Sequence, residues 1–596
     1  MCGIAGIIDL NGQAIGMMDI MRFTDAMSHR GPDGAGYEVL NNQTVALGHR
    51  RLSILDLTDS AKQPMAYANK RYWITYNGEV YNFNEIKKEL SIKGHSFHSH
   101  TDTEVILAAY VEWGKGCLQK FNGMFAFAIW DDTKKHLFLA RDRFGIKPVY
   151  YSFKPGALFA FASETNAFKV LKGFNRSINS SHLQLVLDDT YALEGQGLSL
   201  FNDIQLLPAA HYLEWSEQKG ISIQKWFDLE QHIHQVPNSI EEQAAMFYDL
   251  FRDACRIRLI SDVPVATALS GGLDSSAVYS TIFDIIQHEQ LDRVPQNAQT
   301  AFSAIFRGMP NDEQAFAQKA IDYTKGPIEW IESNQADLIN TIQSDTIAAD
   351  FIHTSPISSI ANIYAGMKQK GYTVSLDGHG VDEMLFGYRD MVYDLYNQYY
   401  HQGNTSAMRK IAQVLIQMYP LHAQEKINKE LSQNLQSVEA QSFIKRRIKL
   451  YRQNSQEKDL CLYETMTHTL PSLLRNFDKA SMINGVEIRM PFLDWRLVAF
   501  CASLPIESKI GEGYTKRILR QAMVNKMSEQ IRTRTFKVGI SSPIHHWLNH
   551  DLKVWAIDTL SHSPLKHQAL SEYQSGELSH TTAQKVWQQI NLQLIQ

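Results

Sequence analysis

Cysteine is scarce in this chain. There are five among 596 residues, at positions 2, 117, 255, 461 and 501. An odd, widely spread set argues against a disulfide framework and for a reducing compartment. No two stand in C-x-x-C spacing, so a zinc site of paired thiolates is not expected. Excess charge is missing too: 58 Lys and Arg against 63 Asp and Glu leave a net −5. Without a basic stripe or tail, there is no electrostatic footprint for nucleic acid. No apolar run approaches the ~18 residues needed to span a bilayer. The first residues lack a charged segment followed by an apolar one, so no secretory signal is expected. What remains is a globular composition, 44% hydrophobic and 20% charged. At this length two to four domains are expected. The default class is a cytoplasmic enzyme with no nucleic-acid or membrane partner.

The chain changes character once. Residues 2–215 read as β-rich, with strands expected at 4–10, 44–47, 72–76, 124–130, 136–140 and 158–163. Helices are expected at 18–27 and 104–113, the second opened by Thr101-Asp102-Thr103-Glu104 as a capping box. This mixture predicts stacked antiparallel sheets with flanking helices. Residues 216–240 read as a linker, with a last strand at 221–226 and a polar stretch around Pro237. Ser239-Ile240-Glu241-Glu242 then opens a helix to about residue 259. In 241–596, strands at 263–269, 300–306 and 372–376 alternate with helices at 275–287, 313–323 and 355–370. That rhythm predicts a parallel sheet with helices on both faces, an α/β fold. Residues 388–463 read as a helical elaboration on this second domain.

Cys2 is the first residue with chemistry. Removing Met1 would place its thiol beside a free α-amine, which titrates near ~8 and can accept the thiol proton. The neighbours that give this meaning are His29-Arg30-Gly31-Pro32-Asp33 and Asn77-Gly78-Glu79. A second chemical segment follows the strand at 263–269, in Ser270-Gly271-Gly272-Leu273-Asp274-Ser275-Ser276. Two glycines, three hydroxyls and a helix N-terminus make an anion cradle. Asp274 suits such a cradle only with a metal ion present. The loop resembles the pyrophosphate loop of ATP pyrophosphatases. Asp377-Gly378-His379-Gly380-Val381-Asp382-Glu383 follows another strand and is expected at the same sheet edge, so that Asp382 and Asp274 share Mg²⁺.

Taken together, the chain resembles glutamine-dependent asparagine synthetases from Cys2 to about Trp547. Further matching pieces are His49-Arg50-Arg51-Leu52-Ser53-Ile54-Leu55-Asp56, Gly123-Met124-Phe125-Ala126, Arg141-Asp142, Glu487-x-Arg489-x-Pro491-Phe492-Leu493-Asp494 and Lys516-x-x-Leu519-Arg520. The resemblance implies a glutaminase in the first half. Cys2 attacks glutamine, and Asn77 and Gly78 form the oxyanion hole. Arg51 takes the substrate carboxylate, Glu79 and Asp102 its ammonium, and Leu52, Ser53, Ile54 and Leu55 complete the site. In the second half it implies adenylation of a carboxylate, aspartate in this family, by ATP·Mg²⁺. Leu269, Ser270, Gly271, Gly272, Asp274, Ser275, Ser276, Ala304, Asp377 and Gly378 would meet ATP, Asp274 and Asp382 the metal, and Lys516 the phosphates. Ammonia would pass between the sites along an internal path. A homodimer stays open. One position departs from the family pattern: His379 stands where a glutamate is usual. Histidine can move a proton but carries no permanent negative charge. The departure points to the acceptor, with a nucleotide-linked uronic acid or a peptide as the alternative to aspartate.

Overall fold

A computed structural model describes residues 2–295, 299–307, 312–332, 337–432, 460–536, 542–561, 570–571, 573 and 576–596. Two six-stranded antiparallel sheets form the first half. One runs in the order Gln205–Leu206, Tyr150–Lys154, Leu158–Ala162, Gly3–Asp9, Val45–Arg51, Gly34–Leu40. The other runs Gly220–Lys225, His211–Ser216, His136–Arg141, Gly123–Asp131, Tyr72–Val80, Met65–Tyr67.

The period-two rule explains their stacking. Along Gly3–Asp9, Ile4 and Ile8 enter a core shared with Ala126, Ala128, Trp130, Leu137 and Leu139 of the other sheet. Ala5 and Ile7 face the opposite way, onto helix Met17–Asp25 and its neighbours. The alternate residues Phe125, Phe127 and Ile129 pack under helix Asp102–Trp113. Both sheets are covered on both faces, giving four layers.

The second half holds a five-stranded parallel sheet, ordered Ile328–Glu332, Thr300–Ile305, Val265–Ala268, Val374–Leu376, Glu487–Arg489. The chain runs outward from Val265–Ala268 on one side, then returns to build the other side. Ligands in such sheets sit at the carboxyl ends of the strands beside that reversal. The loops after Val265–Ala268 and Val374–Leu376 meet there. Helices Arg389–His401, Thr405–Gln417, Leu421–Ser432 and Leu460–Met466 lie in the expected helical stretch 388–463, of which 433–459 falls outside the described residues. No helix among the described residues is long and apolar enough to cross a membrane.

Several elements differ from expectation. Strands Gly34–Leu40, Tyr150–Lys154, His211–Ser216, Ile328–Glu332 and Glu487–Arg489, and helix Phe83–Ile92, had no clear sequence signal. Glu487–Arg489 carries two charges in three residues, and its partner strand supplies the environment that makes it β. The strand expected at 221–226 does form, as Gly220–Lys225, the edge of a six-stranded sheet. The capping box at Thr101 does not form. Thr101 Oγ1 accepts from Thr103 N, but the Glu104 carboxylate turns away to the N–H groups of His98 and Ser99.

Candidate active sites

Cys2 stands at the head of the central strand of one sheet, facing Tyr72–Val80 of the other. Its backbone N donates to Asn77 Oδ1 at 2.9 Å. Asn77 is fully buried, and its Nδ2 has no hydrogen-bond partner among the described residues. An unmade buried hydrogen bond costs about 1–3 kcal/mol, so this donor is held ready for an acceptor. Gly78 is required where it stands: a Cβ there would lie 2.1 Å from Met124 O. Burial pushes the Cys2 thiol up, so an acceptor for its proton is needed before it can attack.

A pocket opens beside Cys2. Arg51, Leu52, Ile54, Leu55, Gly78, Glu79 and Asp102 all line it. Ser53 does not; its N–H is turned to Asp33 Oδ2 at 2.8 Å. Arg51 is held by the carbonyls of Asp56 and Thr58 and has no ion pair among the described residues. Neutral carbonyls orient the guanidinium and leave its charge for a ligand. Asp102 Oδ2 accepts from Tyr76 Oη at 2.7 Å and Val80 N at 2.8 Å. Burial still raises Asp102 above the usual carboxylate range, against those hydrogen bonds. Burial also pushes Glu79 well up, opposed by Arg489 at 3.2 Å. Glu487, from the parallel sheet, lines the same pocket.

The pocket is locked to the second domain by buried charge. Arg30 is fully buried; its Nε donates to Cys2 O at 3.2 Å, and Nη1 reaches Glu164 at 2.7 Å and Asp478 at 2.8 Å. Lys479 adds a second cation on Glu164 at 2.7 Å. One oxygen-rich knot thus ties the carbonyl of the reactive residue to helix Thr469–Met482. Sequence reasoning placed Arg30 in a motif without finding this role. Its signal lies only in the long-range partner Asp478.

At the parallel sheet, Gly271 adopts φ +74°, and a Cβ there would meet Ala317 N at 2.2 Å. Ser270 and Ser275 hydroxyls pair at 3.1 Å across the loop, and Leu269 N is bound by Phe302 O at 2.8 Å. Ser276 Oγ is buried and unpartnered among the described residues. Gly378 explains how the two loops meet: its Cβ would lie 2.6 Å from Ser275 N. Lys516 Nζ bridges Asp274 at 2.5 Å and Asp382 at 2.7 Å. So Asp274, Asp382 and Lys516 do assemble, with the ammonium seated between the carboxylates. Asp274 Oδ1 remains buried without a hydrogen-bond partner among the described residues.

Two carboxylates with one free oxygen suit Mg²⁺, which takes few protein ligands and completes its shell with phosphates and water. Among the described residues no cluster of three or more His, Cys, Asp or Glu is built for a metal. Ala304 lies half-buried near the end of Thr300–Ile305. The Asp377 side chain is used internally, accepting from Ser375 Oγ at 2.5 Å and Tyr364 Oη at 2.7 Å. Only its backbone is left for a nucleotide. His379 stacks on Phe477 with ring centroids 3.5 Å apart, and its Nε2 lies 3.6 Å from Asp377.

Comparisons with known proteins agree with this two-part layout. Residues 1–227 match the family model of the glutamine amidotransferase domain, and residues 246–593 that of asparagine synthase. The glutamine-hydrolyzing asparagine synthetase 3 of Bacillus subtilis is 31% identical, over 90% of this chain and 86% of the relative. Asparagine synthetase 1 of the same organism is 27% identical, over 94% and 90%. Amidase chry2 of Gibberella zeae is 27% identical over 65% of this chain and 59% of its own length.

Proposed function

This chain belongs to the asparagine synthase family, as a glutamine-hydrolysing carbon–nitrogen ligase that uses ATP, and from that premise we propose that it amidates the side-chain carboxylate of aspartate. The observation that carries the proposal is one chain holding both halves of the chemistry. Cys2 N donates to Asn77 Oδ1, Asn77 Nδ2 has no partner among the described residues, and Asp274, Lys516 and Asp382 meet at the sheet edge.

With Met1 removed, the Cys2 α-amine accepts the thiol proton and Sγ attacks the amide carbon of glutamine. Asn77 Nδ2 and the Gly78 N–H stabilise the oxyanion, each donor contributing about 3–4 kcal/mol. Arg51 orients the substrate carboxylate, and the acidic wall its ammonium. Ammonia leaves, and water releases glutamate from the thioester. At the second site the acceptor carboxylate attacks the α-phosphate of ATP and pyrophosphate departs. Ammonia then displaces AMP to give the amide. Asp274 and Asp382 would hold the Mg²⁺ of the nucleotide, which neutralises phosphate charge when bound. Lys516 then turns from these carboxylates to the phosphate oxygens.

His379 favours a second reading. Stacked on Phe477 beside Asp377, it offers no fixed negative charge for an acceptor's ammonium. The chemistry then stays the same while the acceptor is a carboxylate without that group, such as a nucleotide-linked uronic acid. Pyrophosphate release measured across a panel of carboxylates, with glutamine and ATP, decides between them. Aspartate as the best acceptor supports the first reading; release with a uronic acid and none with aspartate overturns it.

A further inference from the structure

Helix Thr469–Met482 belongs to the second half, yet it holds residues of the first. Ser472, Arg475, Asp478 and Lys479 recur at helical spacing and reach acceptors and donors there. Ser472 Oγ donates to Glu194 at 2.5 Å, and Arg475 pairs with the same carboxylate. Phe477, between them in sequence, stacks on His379 of the nucleotide loop. The helix is therefore held from both halves. Asp478 takes the Arg30 guanidinium with both oxygens: Oδ2 accepts from Nη1 at 2.8 Å and Oδ1 from Nη2 at 3.2 Å. A two-point grip fixes the plane of a guanidinium as well as its position. Glu164 accepts from Nη1 at 2.7 Å, and Lys479 pairs with Glu164 at 2.7 Å. Two buried carboxylates thus meet two buried cations, and the cluster is paired within itself. The hydrogen bond it sends to the reactive residue runs from Arg30 Nε to Cys2 O at 3.2 Å. The other end of that residue is held by Asn77 Oδ1, 2.9 Å from Cys2 N. With its N and O both pinned, Cys2 has one direction for its Cα–Cβ bond. Gly31 keeps the Arg30 segment hard against strand Val45–Arg51, since a Cβ there would lie 2.3 Å from Arg50 C.

We propose that Asp478 is a positioning residue for glutamine hydrolysis: it fixes the Arg30 guanidinium, and through it the main chain of Cys2, so that the synthetase half sets the nucleophile in place; this rests on the glutaminase reading above. Attack on an amide carbon needs aligned atoms about 3–3.5 Å apart, and a small misplacement is costly. In Asp478→Asn one oxygen becomes an NH₂ facing a guanidinium N–H. The grip falls to one point, and Arg30 Nε is free to turn from Cys2 O.

The test follows glutamine hydrolysis by the full-length protein across glutamine concentrations. In Asp478→Asn, kcat falls about 10- to 100-fold while KM stays within about twofold, because the nucleophile is displaced and the binding pocket is not. Ammonium-driven amidation keeps its wild-type rate, which shows that the second half is folded. An unchanged kcat, a loss confined to KM, or equal losses with both nitrogen donors overturns the proposal. Arg30→Lys keeps the cation but removes the Nε–H and the two-point grip. It must lower kcat alike, and adding Asp478→Asn to it must cost little more, since the two act as one unit. Losses that multiply overturn the proposal. If Asp478→Asn fails to fold, Asp478→Glu, which keeps the charge but shifts the grip by one methylene, must lower kcat at constant KM, and a wild-type kcat there overturns the proposal. The glutaminase reading is checked separately with Cys2→Ala: hydrolysis that survives it sinks that reading. Cys2-dependent hydrolysis with a wild-type kcat in Asp478→Asn sinks only the role of Asp478.

Discussion

The glutamine pocket and the nucleotide loops solve opposite electrostatic problems. In the pocket, charges are left open: Asn77 Nδ2 has no partner among the described residues, Arg51 touches only carbonyls, and Asp102 and Glu79 are raised by burial. At the loops, the carboxylates already hold internal donors: Lys516 spans Asp274 and Asp382, and Asp377 accepts from two hydroxyls. The pocket is a preformed complement to a small zwitterion, held by strands on two sheets. On the proposed reading, the loop site exchanges the Lys516 ammonium for an incoming cation. Preorganisation of this kind lowers the cost of binding and of charge development.

The comparison can be broken first at the nucleophile. Cys2→Ala lowers glutamine-driven amidation by roughly 10⁴-fold or more, the scale seen when a nucleophile is removed. Ammonium-driven amidation persists, and its loss would mean the sites are not separable. Next, Asp274→Asn reduces pyrophosphate release on the order of 10³-fold with either nitrogen donor, since several kcal/mol of charge stabilisation depend on that carboxylate. An unaffected rate would show that the Lys516 bridge is merely structural. Asn77→Ala lowers the kcat of glutamine hydrolysis by about 10²–10³ with little change in KM, because its donor acts on the oxyanion. A pure KM effect would contradict that role. His379→Glu raises kcat/KM for aspartate about tenfold by restoring a partner for its ammonium. If the acceptor profile stays fixed, His379 does not face the acceptor.

The smallest effect concerns the seam between the regions. His468 is buried between Asp189 and Glu464, at 2.8 and 3.2 Å. Burial alone would lower it, but its two carboxylate partners prevail and push it up to about 9. A raised pKa means the stabilisation is full below the unfolded value near ~6.5 and is lost as pH climbs through about 9. Thermal melts from pH 6 to 10 should therefore show a decline that His468→Gln flattens. The same slope in both proteins would remove His468 from the seam.

Much of the glutamine pocket was legible because its residues are contiguous motifs on strand ends: Arg51 to Leu55, and Asn77 to Glu79. Ser53 follows the end of strand Val45–Arg51, does not line the pocket, and gives its N–H to Asp33. Glu487 and Arg30 were invisible as site residues because their meaning is a contact over hundreds of positions. The parallel sheet was legible at Val265–Ala268, where β-branched and small apolar residues run into glycines. It was not at Glu487–Arg489, where the strand is charged and only its neighbour Val374–Leu376 makes it one.

The central claim is that nitrogen released at Cys2 is spent at Asp274 and Asp382 in one reaction. Incubating the protein with amide-¹⁵N glutamine, ATP and the acceptor carboxylate measures this directly. The account predicts ¹⁵N in the product amide, with one glutamate formed per pyrophosphate. Glutamate formed with the label only in free ammonium, and no pyrophosphate, would contradict it.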